Sequence, residues 1–248
     1  MTLRHSFIFD EQVGSTNARA AELLQTQKLP EGTVVYTNAQ TAGVGLGENK
    51  WLSEPGKNIT ASVVLYPDFL PAEEQFKLTM VISVSVCNML ESLDSIFKPQ
   101  IKWPNDIYLN HRKVAGMLIK NNISGNTIAQ TIAGLGLNVN QTKFDSRAPL
   151  AISLAMISGR QYSIPDLLTK WHAALDHAYD LLQTGKDQEL EQAYLSRFYR
   201  LNQWANYTIH GENLRARITG IGEYGMLQLT GEDERKFSCG LKEVVFER

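Results

Sequence analysis

The spacing of apolar positions along this chain changes several times, and each change marks an element. Phe7-Ile8-Phe9 is a short apolar run closed by Asp10 and reads as a strand. Gly14-Ser15-Thr16-Asn17 then offers capping residues before residues 18–27, a run of good helix formers. Residues 33–38 are β-branched and aromatic, and residues 58–66 alternate loosely up to Pro67, so both read as strands. Between them, residues 40–57 are rich in Gly, Asn, Ser and Pro and predict a long loop with a functional purpose. Phe76, Met80, Val84, Cys87 and Leu90 recur every three or four residues and predict a long helix over 72–93. Residues 101–103, 107–109, 113–120 and 127–137 follow as strands, with tight turns at His111-Arg112 and Ser124-Gly125-Asn126. A helical region is expected over 152–158, 164–184 and 188–199.

The texture changes at Trp204. Short β-like runs at 207–209, 214–219, 226–229, 235–238 and 244–246 are punctuated by Gly211, Gly220, Gly222, Gly225, Gly231 and Gly240. Close-spaced short strands with glycine turns predict a small β-barrel. The chain therefore reads as α+β: a domain over 1–203 with helices packed on a mixed sheet, then a barrel domain over 204–248.

Composition adds limits. Of 248 residues, 43% are hydrophobic and 20% charged, and the net charge is -2, which predicts no general affinity for nucleic acid or anionic membrane. No apolar stretch looks long enough to span a bilayer, and the N-terminus is too short and too acidic for a signal peptide. Two cysteines, Cys87 and Cys239, form no framework or zinc spacing, so a reducing cytoplasm is expected. His5, His111, His172, His177 and His210 show no metal pattern. No helix-turn-helix pattern precedes the first strand, which argues against DNA binding.

Five segments carry candidate chemistry. Gly43, Gly45 and Gly47 alternate within residues 40–51, letting backbone N–H groups approach an anion; a surface loop would look similar. Lys102-Trp103-Pro104-Asn105-Asp106 would gather Lys, Asn and Asp at a strand end, suited to Mg²⁺ or to proton transfer, though Asp is common in turns. Lys113 opens a strand in which Gly116 permits close approach; a solvated edge lysine is the commoner case. Gly134-Leu-Gly136-Leu-Asn138 places two glycines inside a strand, implying a neighbouring backbone or ligand. Ser15-Thr16-Asn17 serves first as a helix cap and can also bind an amide or ureido group.

In this order the five segments resemble the catalytic domain of the biotin–protein ligases, closely over residues 6–140. Lys-Trp-Pro-Asn-Asp followed by Lys-Val-Ala-Gly is the specific part, and it argues against the related lipoate ligases. The resemblance implies a class II synthetase-like mixed sheet with helices on one side and an SH3-like barrel. It implies that ATP, carried with Mg²⁺, and biotin give biotinyl-5′-adenylate, whose acyl group passes to a lysine of a biotin carboxyl carrier domain. By the resemblance, Ser15, Thr16, Asn17, Gln40, Gly43, Val44, Gly45, Leu46, Lys113 and Gly116 serve biotin. Lys113 holds its carboxylate and the adenylate phosphate, and Asp106 assists the amine. Trp51 covers the ligand, Lys102, Asn105 and Asn138 serve the nucleotide and its metal, and Phe198 stacks on adenine.

One departure stands out. The family's loop usually reads Gly-Arg-Gly followed by basic or polar residues, whereas here Val44 and Leu46 hold those positions. Losing a charge-assisted grip on phosphate predicts weaker hold on the adenylate. Three readings stay open: an active ligase, a weakly active or non-catalytic biotin-binding homologue, and a lipoate or octanoate ligase. A homodimer is one assembly open to the chain.

Overall fold

A computed structural model describes residues 2–47 and 49–247. Seven strands form a mixed sheet in the order β1-β2-β3-β7-β6-β5-β4. They are β1 (Phe7–Val13), β2 (Val34–Gln40), β3 (Ile59–Leu65), β4 (Gln100–Lys102), β5 (Asp106–Leu109), β6 (Arg112–Ser124) and β7 (Thr127–Leu137). β1 and β2 run parallel, and the other neighbours are antiparallel. The β5–β6 turn is Asn110-His111, both with positive φ, as a two-residue hairpin loop requires.

From Thr131 onward the even and odd positions of β7 face opposite sides, and each side has its own cover. Ala133, Leu135 and Leu137 join the main core beneath α2 (Phe76–Leu93) and α4 (Ile164–Gln183). Ile132 instead packs with Ala20, Val35 and Val64 under α1 (Thr16–Thr26). Helices thus cover both faces, which corrects the one-sided arrangement expected from the resemblance. α2 is preceded by a 3-10 turn at Ala72–Glu74. Together they make a 22-residue stretch apolar enough to cross a membrane by length and composition, against the expectation that none exists. Its apolar residues are spent on α4 and the sheet, with Leu78, Ile82, Val86 and Leu90 fully buried.

α3 (Leu154–Ser158) and α5 (Asp187–Leu195) complete the first domain. α5 ends earlier than its sequence pattern predicts, because Phe198 leaves the helix to bridge Ile101 of β4. The second domain is a five-stranded antiparallel barrel-like sheet in the order β11-β10-β9-β8-β12. Its strands are β8 (Trp204–Ile209), β9 (Glu212–Ile221), β10 (Leu227–Gly231), β11 (Lys236–Cys239) and β12 (Val244–Phe246). It is pinned to the first by Trp103, whose indole Nε1 donates to the Gly225 carbonyl at 2.9 Å.

Candidate functional site

A cleft of about 790 Å³ crosses the α1 side of the sheet. It runs from Thr16 and Gln40, over the glycines of β6 and β7, to Asp106 of β5 and the turn Leu241-Lys242 of the second domain. Strand order fixes this direction, since α1 sits over β2, β3 and β7 while Lys102 at the end of β4 meets the Phe246 ring of the second domain.

The floor is cut by glycine. Gly116 and Gly136 face each other across β6 and β7. A Cβ on Gly136 would lie 2.2 Å from the Trp51 indole, and one on Gly116 would lie 3.2 Å from Lys113 Nζ and 3.3 Å from the same indole. The missing side chains therefore make a slot that Trp51 enters. Trp51 Nε1 is buried there without a partner among the described residues, a donor still to be satisfied. Gly134 makes room for Asn17, whose Oδ1 would meet its Cβ at 2.6 Å.

The α1 end is polar. Ser15 caps the helix, its hydroxyl accepting from Ala18 N at 3.2 Å. Gln40 Oε1 accepts from Thr16 N at 2.8 Å. Ser62, fully buried on β3, lies 2.7 Å from Thr16 Oγ1 and 2.6 Å from Asn17 Oδ1. Asn17 Nδ2 donates to the Leu118 carbonyl at 3.0 Å. Ser62 belongs to this network but escaped the sequence reading, because a serine in a run of β-branched residues looks like strand filler.

At the other end, Lys113 Nζ lies 2.6 Å from Asp106 Oδ1. A β-bulge creates this pair. Asp106 opposes Gly116 and Tyr108 opposes Lys113, with one extra residue between. Plain alternation would set Lys113 and Gly116 on opposite faces; the bulge sets them on one. Its mark is that Val114 and Ala115, consecutive in sequence, are both in the core. Lys113 is also flanked by residues 150–152, with its N–H donating to Leu150 O and its carbonyl accepting from Ile152 N. Asn105 is tied to β6, its side chain donating to Met117 O at 2.6 Å. Buried Asn138 donates its Nδ2 to Ile152 O at 3.2 Å.

The glycine-rich loop, of which Glu48 lies outside the described residues, folds back on itself. Gly45 N donates to Asn49 O, and Trp51 N donates to Gly43 O. A Cβ on Gly43 would strike Trp51 O at 2.3 Å, so glycine is needed for the fold-back rather than for ligand approach. Val44 is half exposed, and with Gly45 and Leu46 it lines the cleft. Asn58 holds the loop's far end. Its Nδ2 donates to Gln141 Oε1 at 2.6 Å and lies 3.0 Å from Ser53 Oγ, and its Oδ1 accepts from Val139 N. One buried amide thus joins the two segments that border the cleft, residues 40–57 and 138–151.

Two candidates lie elsewhere. Phe198 is buried against Tyr194 and Ile101, away from the cleft, because the chain there serves the β4 edge. Lys102 lies between the Tyr108 and Phe246 rings, 5.3 and 4.8 Å from their centroids, between the domains. Burial holds its ammonium below the ordinary lysine range, opposed by nearby Asp106. Neither residue, both expected to serve the nucleotide, lines the cleft.

Among the described lining residues, Lys50, Lys113, Arg147 and Lys242 supply positive charge and Asp106 is the one carboxylate. Arg147 and Lys242 were invisible as site residues in the sequence, being single basic residues in loops without a motif. Such a surplus of positive charge in a cleft favours a polyanion.

Over residues 9–138 the sequence matches the Biotin/lipoate A/B protein ligase family. It is 35% identical over 222 residues to the bifunctional ligase/repressor BirA of Bacillus spizizenii, covering 88% of this chain and 64% of that protein. The chain thus spans just under two thirds of that relative's length. It is 32% identical over 234 residues to the biotin–[acetyl-CoA-carboxylase] ligase of Paracoccus denitrificans, covering 90% and 93% of the two chains. A biotin protein ligase from Aquifex aeolicus, solved in complex with biotin and ATP, shares the fold with a TM-score of 0.80 over 99% of this chain and 100% of that one, at 24% identity.

Proposed function

Because this chain belongs to the biotin/lipoate A/B protein ligase family, we propose that it attaches biotin to a lysine of a carrier protein by way of biotinyl-5′-adenylate. The observation that carries this reading is the Lys113–Asp106 pair, 2.6 Å apart, beside the glycine slot of a positively charged cleft.

In this reading the ureido ring of biotin takes the polar end at Ser15, Thr16, Asn17 and Gln40, with buried Ser62 backing Thr16 and Asn17. The valeryl chain runs over the Gly116–Gly136 floor, and Trp51, which fills that slot in the structure, shifts to cover it. The carboxylate oxygen, held by the Lys113 ammonium, attacks the α-phosphorus of ATP and pyrophosphate leaves. Cations gathered around a developing phosphoryl charge lower that barrier. The carrier lysine, as a neutral amine, then attacks the acyl carbon. An amide forms, AMP leaves, and the Asp106 carboxylate accepts the amine proton. The second step needs a water-poor site, which Trp51 and the loop borne by Asn58 supply.

Divalent metal fits this site only in part. Among the described residues no three His, Cys, Asp or Glu side chains gather to hold an ion. Mg²⁺ would arrive on the nucleotide phosphates, with Asp106, Asn105 and Asn138 among the oxygen donors that line the cleft, and would supply charge neutralisation. A cytoplasmic location agrees with two unpaired buried cysteines, Cys87 and Cys239.

Calorimetric titration with biotin, alone and with Mg-ATP, tests the reading together with pyrophosphate release. Release that depends on biotin supports a ligase. Biotin binding without release favours a binding homologue, and release with lipoate or octanoate in place of biotin favours the sister activity.

A further inference from the structure

Ser62 of β3, Gly134 of β7 and Leu118 of β6 stand side by side across three strands. Asn17 of α1 lies over the middle one. Its Nδ2 donates to the Leu118 carbonyl at 3.0 Å, and its Oδ1 lies 2.6 Å from Ser62 Oγ. A Cβ on Gly134 would stand 2.6 Å from that Oδ1, so the amide spans the row only above a glycine. We propose that Ser62, which does not line the cleft, is a positioning residue that fixes the Thr16 hydroxyl as a hydrogen-bond acceptor toward the ligand. The polar end then selects a ring N–H and rejects acyl ligands that lack one. This rests on reading the cleft as a biotin site.

Proton counting gives the direction. A carbonyl oxygen only accepts, so the Leu118 carbonyl dictates which end of the Asn17 amide faces it. Turning the amide over would set two acceptors against each other. Oδ1 therefore faces Ser62 and takes its proton. A hydroxyl carries one proton. Ser62 has none left for Thr16 Oγ1, 2.7 Å away, and accepts from it instead. Gln40 Oε1, 3.3 Å from Thr16 Oγ1, is the weaker claimant, because it is more distant and already accepts from Thr16 N at 2.8 Å. Donation thus runs from Thr16 through Ser62 and Asn17 to the Leu118 carbonyl. With its proton committed, Thr16 Oγ1 offers only lone pairs to the cleft that Thr16 lines.

Burial holds the relay in that direction. Ser62 is fully buried, and Thr16 and Asn17 are only 4% and 8% exposed. Water has little access to stand in for a lost partner. A reversed Ser62 hydroxyl would leave Asn17 Oδ1 buried without a donor, which is costlier than the bond it would gain.

An acceptor so placed discriminates by chemistry. A cyclic urea brings an N–H that completes it. A dithiolane ring or an alkyl end, as on lipoate or octanoate, brings none and would cover the oxygen without a donor. A site built around a hydrogen bond rejects an analogue lacking it far more strongly than an apolar pocket rejects a change of one methylene. Ser62 therefore favours biotin over those acyl groups from behind the site, without touching any of them.

The test titrates the full chain with biotin and, separately, with octanoate, in wild type, Ser62→Ala, Ser62→Cys, Thr16→Val and the Ser62→Ala/Thr16→Val double variant. Wild type is expected to prefer biotin. Ser62→Ala is expected to weaken biotin binding about tenfold, the scale of one hydrogen bond. Ser62→Cys, close in size and a weak donor, should weaken it several-fold and carries the test if the alanine variant does not fold. In the Thr16→Val background, adding Ser62→Ala should change biotin affinity by less than about twofold, because the relay has nothing left to orient. Biotin affinity within about twofold of wild type in both Ser62 variants overturns the proposal. So does an equal loss from Ser62→Ala in both backgrounds, since Ser62 would then act by holding α1 and not through Thr16. Wild type that binds octanoate at least as tightly as biotin sinks the biotin reading and the selection with it, a result seen before any substitution is made.

Discussion

Lys113 and Asp106 meet at 2.6 Å across β6 and β5 because one extra residue, Val114, is turned into the core between them. In the proposed function the pair couples the two chemical steps, the ammonium steadying phosphate in the first and the carboxylate taking a proton in the second. Lys113→Ala is expected to cut biotin-dependent ATP–pyrophosphate exchange at least about a hundredfold, the usual effect of removing one group that stabilises a developing charge. Asp106→Asn should spare exchange more than it spares transfer to the carrier. Exchange at the wild-type rate in Lys113→Ala would show that this lysine is not the activating cation.

The Gly116–Gly136 slot yields a steric prediction. A methyl group at Gly136 would stand 2.2 Å from a Trp51 ring carbon, so the indole must move. Gly136→Ala is expected to weaken biotin binding by about tenfold or more, on the scale of overpacking a filled site. Replacing Trp51 by Ala in the same chain should recover part of that loss. No change in tryptophan fluorescence for Gly136→Ala would mean the ring is not seated in the slot.

Val44 invites the reverse experiment. It lines the cleft and is half exposed, so a longer side chain has room. Val44→Arg is expected to slow release of biotinyl-adenylate several-fold, since charge-assisted contacts to phosphate are strong. Faster release, measured by gel filtration of the preformed complex, would show that the loop does not reach the phosphate.

His172 predicts how stability responds to acid. It is buried, with Nε2 3.1 Å from the Gly32 carbonyl and the His5 ring against it. Burial lowers its pKa below the ordinary value of 6.5. The folded form resists a proton that the unfolded chain accepts, so stability is complete above about pH 6.5 and falls as the pH drops below it. The thermal midpoint should fall between pH 7.5 and 5.5, and fall less in His172→Gln. Identical pH dependence in the two proteins would remove His172 from the account.

Much of this site is written in the sequence. Alternating glycines, a lysine opening a strand and a cap motif each name a local demand on the backbone, and such demands are visible without tertiary structure. The helix over 72–93 and the strand carrying Gly134 and Gly136 were legible for the same reason. The rest depends on pairing between distant segments. A bulge has no signature in a lone strand, so the face on which Lys113 lies could not be read. Phe198 followed a helical pattern, but the free edge of β4 captured it. Ser62, Asn58, Arg147 and Lys242 matter through partners or neighbours dozens of residues away, and nothing local distinguishes them.

The most direct measurement is mass spectrometry of a biotin carboxyl carrier domain incubated with the purified chain, biotin and Mg-ATP. The account predicts one added biotinyl group on a single lysine, with the product absent when ATP is withheld or Lys113 is alanine. An unmodified carrier, alongside a protein that binds both biotin and ATP, would contradict it.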